Sequence, residues 1–158
     1  MFYEEIFKQL NRRHIDYTVV GGVALVMHGI VRLTADLDLM LYLDEKNLNK
    51  FIDLMGELGY KPRVPVKARD LADPAKRAYW RQEKNMEVFS FYHPRQAISL
   101  IDVFISEPLP YKEIKSRAVH MKIGNLSVPV VSKEDLIKLK KIAGRPQDLE
   151  DINALRKL

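Results

Sequence analysis

Apolar residues at helical spacing predict a first helix over residues 3–13, followed by a short apolar strand from Asp16 to Val20. Gly21-Gly22 then turns the chain into a second helix running to about His28, which Gly29 breaks. Residues 36–43 alternate, with Asp36, Asp38, Met40 and Tyr42 on one face and Leu37, Leu39, Leu41 and Leu43 on the other. The leucine face is expected to be buried, leaving the carboxylate face open to a cleft or to solvent. Asp44 is placed to cap a helix to about Leu58, because Leu48, Phe51, Ile52, Met55 and Leu58 recur at helical intervals. A partly helical stretch over 66–82 must begin or break at Pro74. Strands are expected near 86–92 and 98–105, and "VHMKIGNLSVPVVS" reads as a hairpin turning at Gly124-Asn125. Ser132 and Asp135 open a helix to about Ala143 in the manner of a capping box. Gly144 stops it, and Pro146 starts a last helix expected to bury Leu149, Ile152 and Leu155. The pattern is that of one compact α/β (α+β) domain over 1–158, closed by a helical pair at about 132–158.

Composition narrows the setting. With 158 residues, 47% hydrophobic and 30% charged, the chain has an ordinary globular profile. No apolar run approaches membrane-spanning length, the first residues lack the profile of a signal peptide, and there is no cysteine. A cytoplasmic protein without membrane attachment, disulfide or thiolate metal site is expected. The formal charge of +5 leans toward polyanionic partners. Residues 61–84 hold eight Lys or Arg against three acids, a surplus as large as that of the whole chain. Such a stretch is either a solvated helix face or a wall facing phosphate or RNA.

The aspartates carry the chemistry. Asp36 and Asp38 interrupt a strand of leucines and point to the same side, about 6–7 Å apart along the backbone. Asp102 interrupts a second apolar strand in "ISLIDVFIS". Burying such charges is unfavourable unless they are paired or bind a cation. If the two strands are neighbours, the three carboxylates share one surface. Oxygen ligands of this kind suit Mg²⁺ or Mn²⁺, and two such ions about 3.5–4 Å apart would clamp an in-line phosphoryl displacement. A strand, Gly-Gly and a helix supply main-chain N–H groups at the complementary place, where a phosphate can approach closely. His28, beside the apolar "ALVM" run, is expected to be a packed helix-end residue rather than a ligand. Trp80 and Tyr79, next to Arg77 and Arg81, are expected to be amphipathic core anchors, with stacking on a base as the alternative.

Gly21-Gly22, thirteen intervening residues, Asp36-Leu37-Asp38-Leu39 and later Ile101-Asp102-Val103 resemble the signature of the DNA polymerase β-like nucleotidyltransferase superfamily. "GGVALVMHGIVRLTADLDL" is similar to the small branch that includes AbiEii-type toxins and minimal nucleotidyltransferases, and to lincosamide and aminoglycoside nucleotidyltransferases. "DLIKLKKIAGRPQDLEDINAL" resembles the downstream element of that family. The resemblance implies a short mixed sheet with packed helices and transfer of a nucleoside monophosphate from an NTP co-substrate. By the same resemblance Asp36 and Asp38 would bind two metal ions, and Asp102 the one that activates the acceptor, with a role as its base. Gly21 and Gly22 would hold the triphosphate. Arg32 and Thr34 would bind nucleotide or shape the turn. Lys140 would reach the phosphates beside Arg145, and Asp148 would orient the acceptor or accept its proton. An exposed ion-paired helix junction is the competing account of those three. Arg77, Arg81 and Lys84 are further candidates for triphosphate or RNA.

Antibiotic-modifying relatives usually carry an added helical domain, whereas this chain ends soon after the minimal fold. That favours a shallow acceptor site, one completed by a second subunit or a partner protein, or a macromolecular acceptor such as RNA or protein. Two other readings stay open: a non-catalytic nucleotide-binding or antitoxin-like module of the same fold, and a basic nucleic-acid-binding domain with incidental aspartates.

Overall fold

The computed structural model describes residues 3–96 and 99–158. Seven strands form one mixed sheet: β1 (Tyr17–Val20), β2 (Leu37–Leu41), β3 (Lys61–Pro62), β4 (Val88–Tyr92), β5 (Leu100–Phe104), β6 (Val119–Ile123) and β7 (Leu126–Val130). They lie in the order β3-β4-β5-β2-β1-β7-β6. β1 runs antiparallel to β2 and parallel to β7, while β2 runs parallel to β5. Among the described residues seven α-helices accompany them: α1 (Glu4–Arg12), α2 (Gly21–Met27), α3 (Glu45–Glu57), α4 (Pro74–Lys84), α5 (Tyr111–Arg117), α6 (Lys133–Ala143) and α7 (Pro146–Arg156).

Residues paired across the ladders share a face, which separates the two sides of the sheet. Tyr17, Leu39, Leu41, Leu37, Ile101 and Phe91 lie on one side. There Phe7 of α1 stacks on Tyr17 at 6.3 Å, Phe51 of α3 meets Phe91 at 5.8 Å, and Trp80 of α4 packs on Phe89 at 5.3 Å. Thr18, Val20, Met40, Asp38, Asp102 and Ser90 lie on the other side. Tyr111 of α5 reaches Thr18 there, and α6 brings Lys140 within electrostatic reach of Asp38. Buried Asn47 ties the strands together, receiving the Asp16 N–H at 2.8 Å and donating to the carbonyls of Asp16 and Tyr42.

Most expected boundaries stand within a residue or two. Asp44 caps α3 by accepting the Asn47 N–H at 3.2 Å. Ser132 caps α6 by accepting the Asp135 N–H at 3.0 Å. Pro74 begins α4 behind its Asp73 cap, with a separate 3-10 turn at Ala68–Ala72.

Two expectations need correction, and two elements are additional to those expected. Asp36, Asp38 and Tyr42 are partly exposed as expected of the carboxylate face, but Met40 between them is as inaccessible as the leucines. Leu149 is 57% exposed, and the buried stripe of α7 is Asp148, Asp151, Ile152 and Leu155. Two acids take the place of the expected leucine because cations of neighbouring elements lie against them. The strand expected over 98–105 begins at Leu100, and residue 98 lies outside the described residues. α5 and β3 were not anticipated, because Pro108 and Pro110 obscure the short helical pattern and two residues are too few for alternation.

Candidate functional site

The first piece is the turn from β1 into α2. Gly21 has φ +67°, a conformation that side chains other than glycine rarely adopt. A Cβ there would overlap the Asp38 carboxylate. Val20, in register with Asp38, is extended, and the next backbone N–H groups turn over β2. Gly22 donates its N–H to the Asp38 carboxylate. A Cβ at Gly22 would stand 2.7 Å from Thr34 Oγ1, so both glycines are required by close approach. Thr34 thus packs against the turn, and its hydroxyl donates to the Asp36 carbonyl at 3.4 Å.

The parallel β2–β5 ladder sets Asp38 directly beside Asp102, and the β4–β5 ladder sets Ser90 beside Asp102. Asp36 precedes β2, and its Oδ1 accepts the Leu100 N–H at 3.1 Å. Ser90 Oγ donates to Asp102 Oδ1 at 2.6 Å. Burial, then the charges of Asp102 and Asp36, push the Asp38 carboxyl up to about 7; the Gly22 N–H and Lys140 oppose this. Burial also raises Asp102, opposed by the Ser90 hydroxyl, while Asp36 adds to the rise. Near neutral pH the Asp38 carboxyl is therefore about half protonated, at a place where a cation of higher charge would be electrostatically favoured.

Among the described residues, no group of three or more His, Cys, Asp or Glu side chains is gathered so as to hold a metal ion. The strands bring the three aspartates into one neighbourhood, where Asp36 accepts from Leu100, Asp38 from Gly22 and Asp102 from Ser90, and the Asp38 and Asp102 side chains also meet. Their chemistry still fits a hard divalent cation, being oxygen-only, mutually repelling and supplied by adjacent strands.

The third piece is the junction of α6 and α7. Lys140 Nζ lies 2.9 Å from Asp151 Oδ2 and 3.3 Å from Asp148 Oδ1. Arg32 Nη1 lies 2.6 Å from the same Asp151 Oδ2. Arg145 donates its backbone N–H and its Nε to Asp148 Oδ2, at 3.1 and 2.8 Å, closing a capping box. Burial pushes Asp148 and Asp151 up, but hydrogen bonds from Arg145 and Lys140, and from Arg32 and Lys140, leave both below the usual carboxylate range. The junction is ion-paired, as one account expected; Arg145 is exposed, but the carboxylates are buried and Lys140 is largely covered. Asp148 so held is a poor proton acceptor.

Of the basic stretch, Arg63 is the cation whose charge acts on Asp102. Arg77 is buried, its guanidinium donating to the Leu71 carbonyl at 2.7 Å, so it is spent on the core rather than on a phosphate. Arg81 and Lys84 lie exposed on α4. Trp80 is buried and Tyr79 is 52% exposed, and the His28 ring bonds the Val131 carbonyl at 2.8 Å as a packed helix-end residue. A groove of about 570 Å³ beside α3, reaching Tyr60 and Phe91, lies on the opposite side of the sheet from the aspartates. Ser90, Arg63 and Asp151 were missed from the sequence. Asp151 alone left a signal, three residues after Asp148 and hence on its face.

No family model and no curated protein matches this sequence. Solved structures do share the fold. The lincosamide antibiotic adenylyltransferase LnuA with lincomycin bound is similar with TM-score 0.62 and 16% identity, covering 96% of this chain and 92% of that one. ANT(2")-Ia in complex with adenylyl-2"-tobramycin gives TM-score 0.62 at 14% identity, covering 98% and 85%. An antigenic nucleotidyltransferase-like protein from Paracoccidioides brasiliensis gives 0.59 at 16%, covering 98% and 73%. The chain thus has a nucleotidyltransferase fold. No helix among the described residues is long and apolar enough to cross a membrane.

Proposed function

We propose that this protein transfers a nucleoside monophosphate from an NTP to an acceptor, as a minimal member of the DNA polymerase β-like superfamily. The observation that carries the reading is the in-register Asp38–Asp102 pair beside a Gly-Gly turn on a nucleotidyltransferase fold. An oxygen of the acceptor attacks the α-phosphorus, the bond from that phosphorus to the bridging oxygen breaks, and pyrophosphate leaves. Asp36, Asp38 and Asp102 would hold Mg²⁺ or Mn²⁺, which when bound neutralises the phosphates and lowers the pKa of the acceptor. Asp102, whose proton affinity is raised, takes the acceptor proton. The main chain at Gly21 and Gly22 and the cations of Arg32, Lys140 and Arg145 face the triphosphate. Asp148 keeps Lys140 and Arg145 in place rather than acting as a base. The resemblance from Gly21 to Leu41 supports a reading within the small AbiEii-like branch, for which RNA or protein is the acceptor we propose.

The test is incubation with each labelled NTP and Mg²⁺ or Mn²⁺, with cell extract supplying acceptors. Metal-dependent label on RNA, protein or a small molecule, lost in Asp36→Asn/Asp38→Asn, is expected. NTP binding without any labelled product would point instead to a non-catalytic nucleotide-binding module. Salt-sensitive RNA binding that ignores both metal and the double substitution would point to a basic binding domain.

A further inference from the structure

We propose that Asp151 is a positioning residue of this site, fixing Arg32 and Lys140 on one buried carboxylate oxygen; the inference rests on the nucleotidyltransferase reading. Both cations meet the same Oδ2, at 2.6 and 2.9 Å, and the side-chain exposures of Asp151, Lys140 and Arg32 are 8%, 11% and 19%. Two cations so close repel one another, and without the shared anion each gains by swinging toward water.

The segment that Arg32 belongs to has little else to hold it. Residues 30–36 form no regular structure, and Val31 and Leu33 are fully exposed, so hydrophobic burial does not fix them. Its ends are held by the Ile30 N–H on the Leu25 carbonyl and by the Leu100 N–H on Asp36, and between them the tethers are the Arg32–Asp151 pair, the Tyr3 hydroxyl on the Ala35 carbonyl, and Thr34 against Gly22. The same segment leads into Asp36 and Asp38. Asp151 therefore joins the approach to the paired aspartates to the helix carrying Lys140. Asp148 holds Lys140 as well but makes no pair with Arg32, which gives the comparison its control.

The experiment compares Asp151→Asn, Asp151→Glu, Arg32→Met and Asp148→Asn with the wild type in the full chain, well below each melting temperature. Backbone NMR order parameters over 30–36 report the tether, and equilibrium titration with ATP, GTP, CTP and UTP in Mg²⁺ reports the site. The order parameters are expected to fall below about 0.6 in Asp151→Asn and Arg32→Met but not in Asp148→Asn. The dissociation constant of the tightest NTP is expected to rise about tenfold in Asp151→Asn, with partial recovery in Asp151→Glu. If Asp151→Asn does not fold, Arg32→Met carries the tether measurement alone, because Arg32 itself faces the triphosphate, and Asp151→Glu carries the NTP titration with a smaller expected rise. Unchanged order parameters over 30–36 in Asp151→Asn, or an NTP affinity of that variant within about threefold of a wild type that binds, overturns the inference alone. A wild type that binds none of the four NTPs overturns the proposed function, and the positioning role falls with it.

Discussion

Asp38→Asn should make the metal-free protein more stable at pH 8. Asp38 is half-buried beside two other carboxylates, and its proton affinity is raised from the ordinary 3.8 to about 7. The folded state therefore holds this proton more tightly than the unfolded chain. The resulting stabilisation is complete below pH 3.8, declines as pH rises, and is gone once pH passes about 7. At about 1.4 kcal/mol per tenfold in proton affinity, the ionised form is disfavoured by about 4 kcal/mol in the fold, an upper limit set by the solvent that reaches the group. Asparagine retains an acceptor for the Gly22 N–H and removes the charge, while its amide must find room beside Asp102. A net gain of about 2 kcal/mol at pH 8 is expected, or about 4–8 °C in melting temperature for a chain of this size. At pH 5 the gain should shrink below about 1 kcal/mol, because the wild type is then mostly protonated at this position. Urea and thermal unfolding of both proteins at the two pH values, in EDTA, measure the difference. A loss of stability at pH 8, or an equal gain at both pH values, would refute the argument that three carboxylates are held against their own repulsion. Mg²⁺ should narrow the gap by stabilising the wild type selectively.

The two glycine environments separate equally clearly. Gly21→Ala should destabilise the protein by more than about 2 kcal/mol and abolish NTP binding, because its φ is positive and its Cβ would overlap Asp38. Gly56→Ala, on α3 with open space around it, should stabilise by about 0.5–1 kcal/mol in denaturant unfolding. Trp80→Ala should cost about 3–5 kcal/mol through lost packing on Phe89, whereas Tyr79→Ala should change unfolding by less than about 0.5 kcal/mol. An equal effect of the two aromatic substitutions on stability would contradict the placement of α4.

Local chemistry determined a large part of this protein. The caps at Asp44 and Ser132, the start of α4 at Pro74 and the hairpin at Gly124-Asn125 act over four or five residues, and each is legible in the chain. Period-two alternation likewise placed Asp38 and Asp102 on strands. Sequence alone left open that those strands are parallel neighbours in register, that Ser90 completes the row, and that Met40 is as buried as the leucines. Those facts depend on β5 entering the sheet beside β2, 60 residues away in the chain, which no local preference encodes. The tail shows the same division. Helical spacing read Leu149 as a core residue, but the fold presents Lys140 and Arg32 to that helix, so Asp148 and Asp151 turn inward and Leu149 faces water. Buried charge is tolerable only where an opposite charge meets it, and where the partners meet is a property of the assembled sheet and helices.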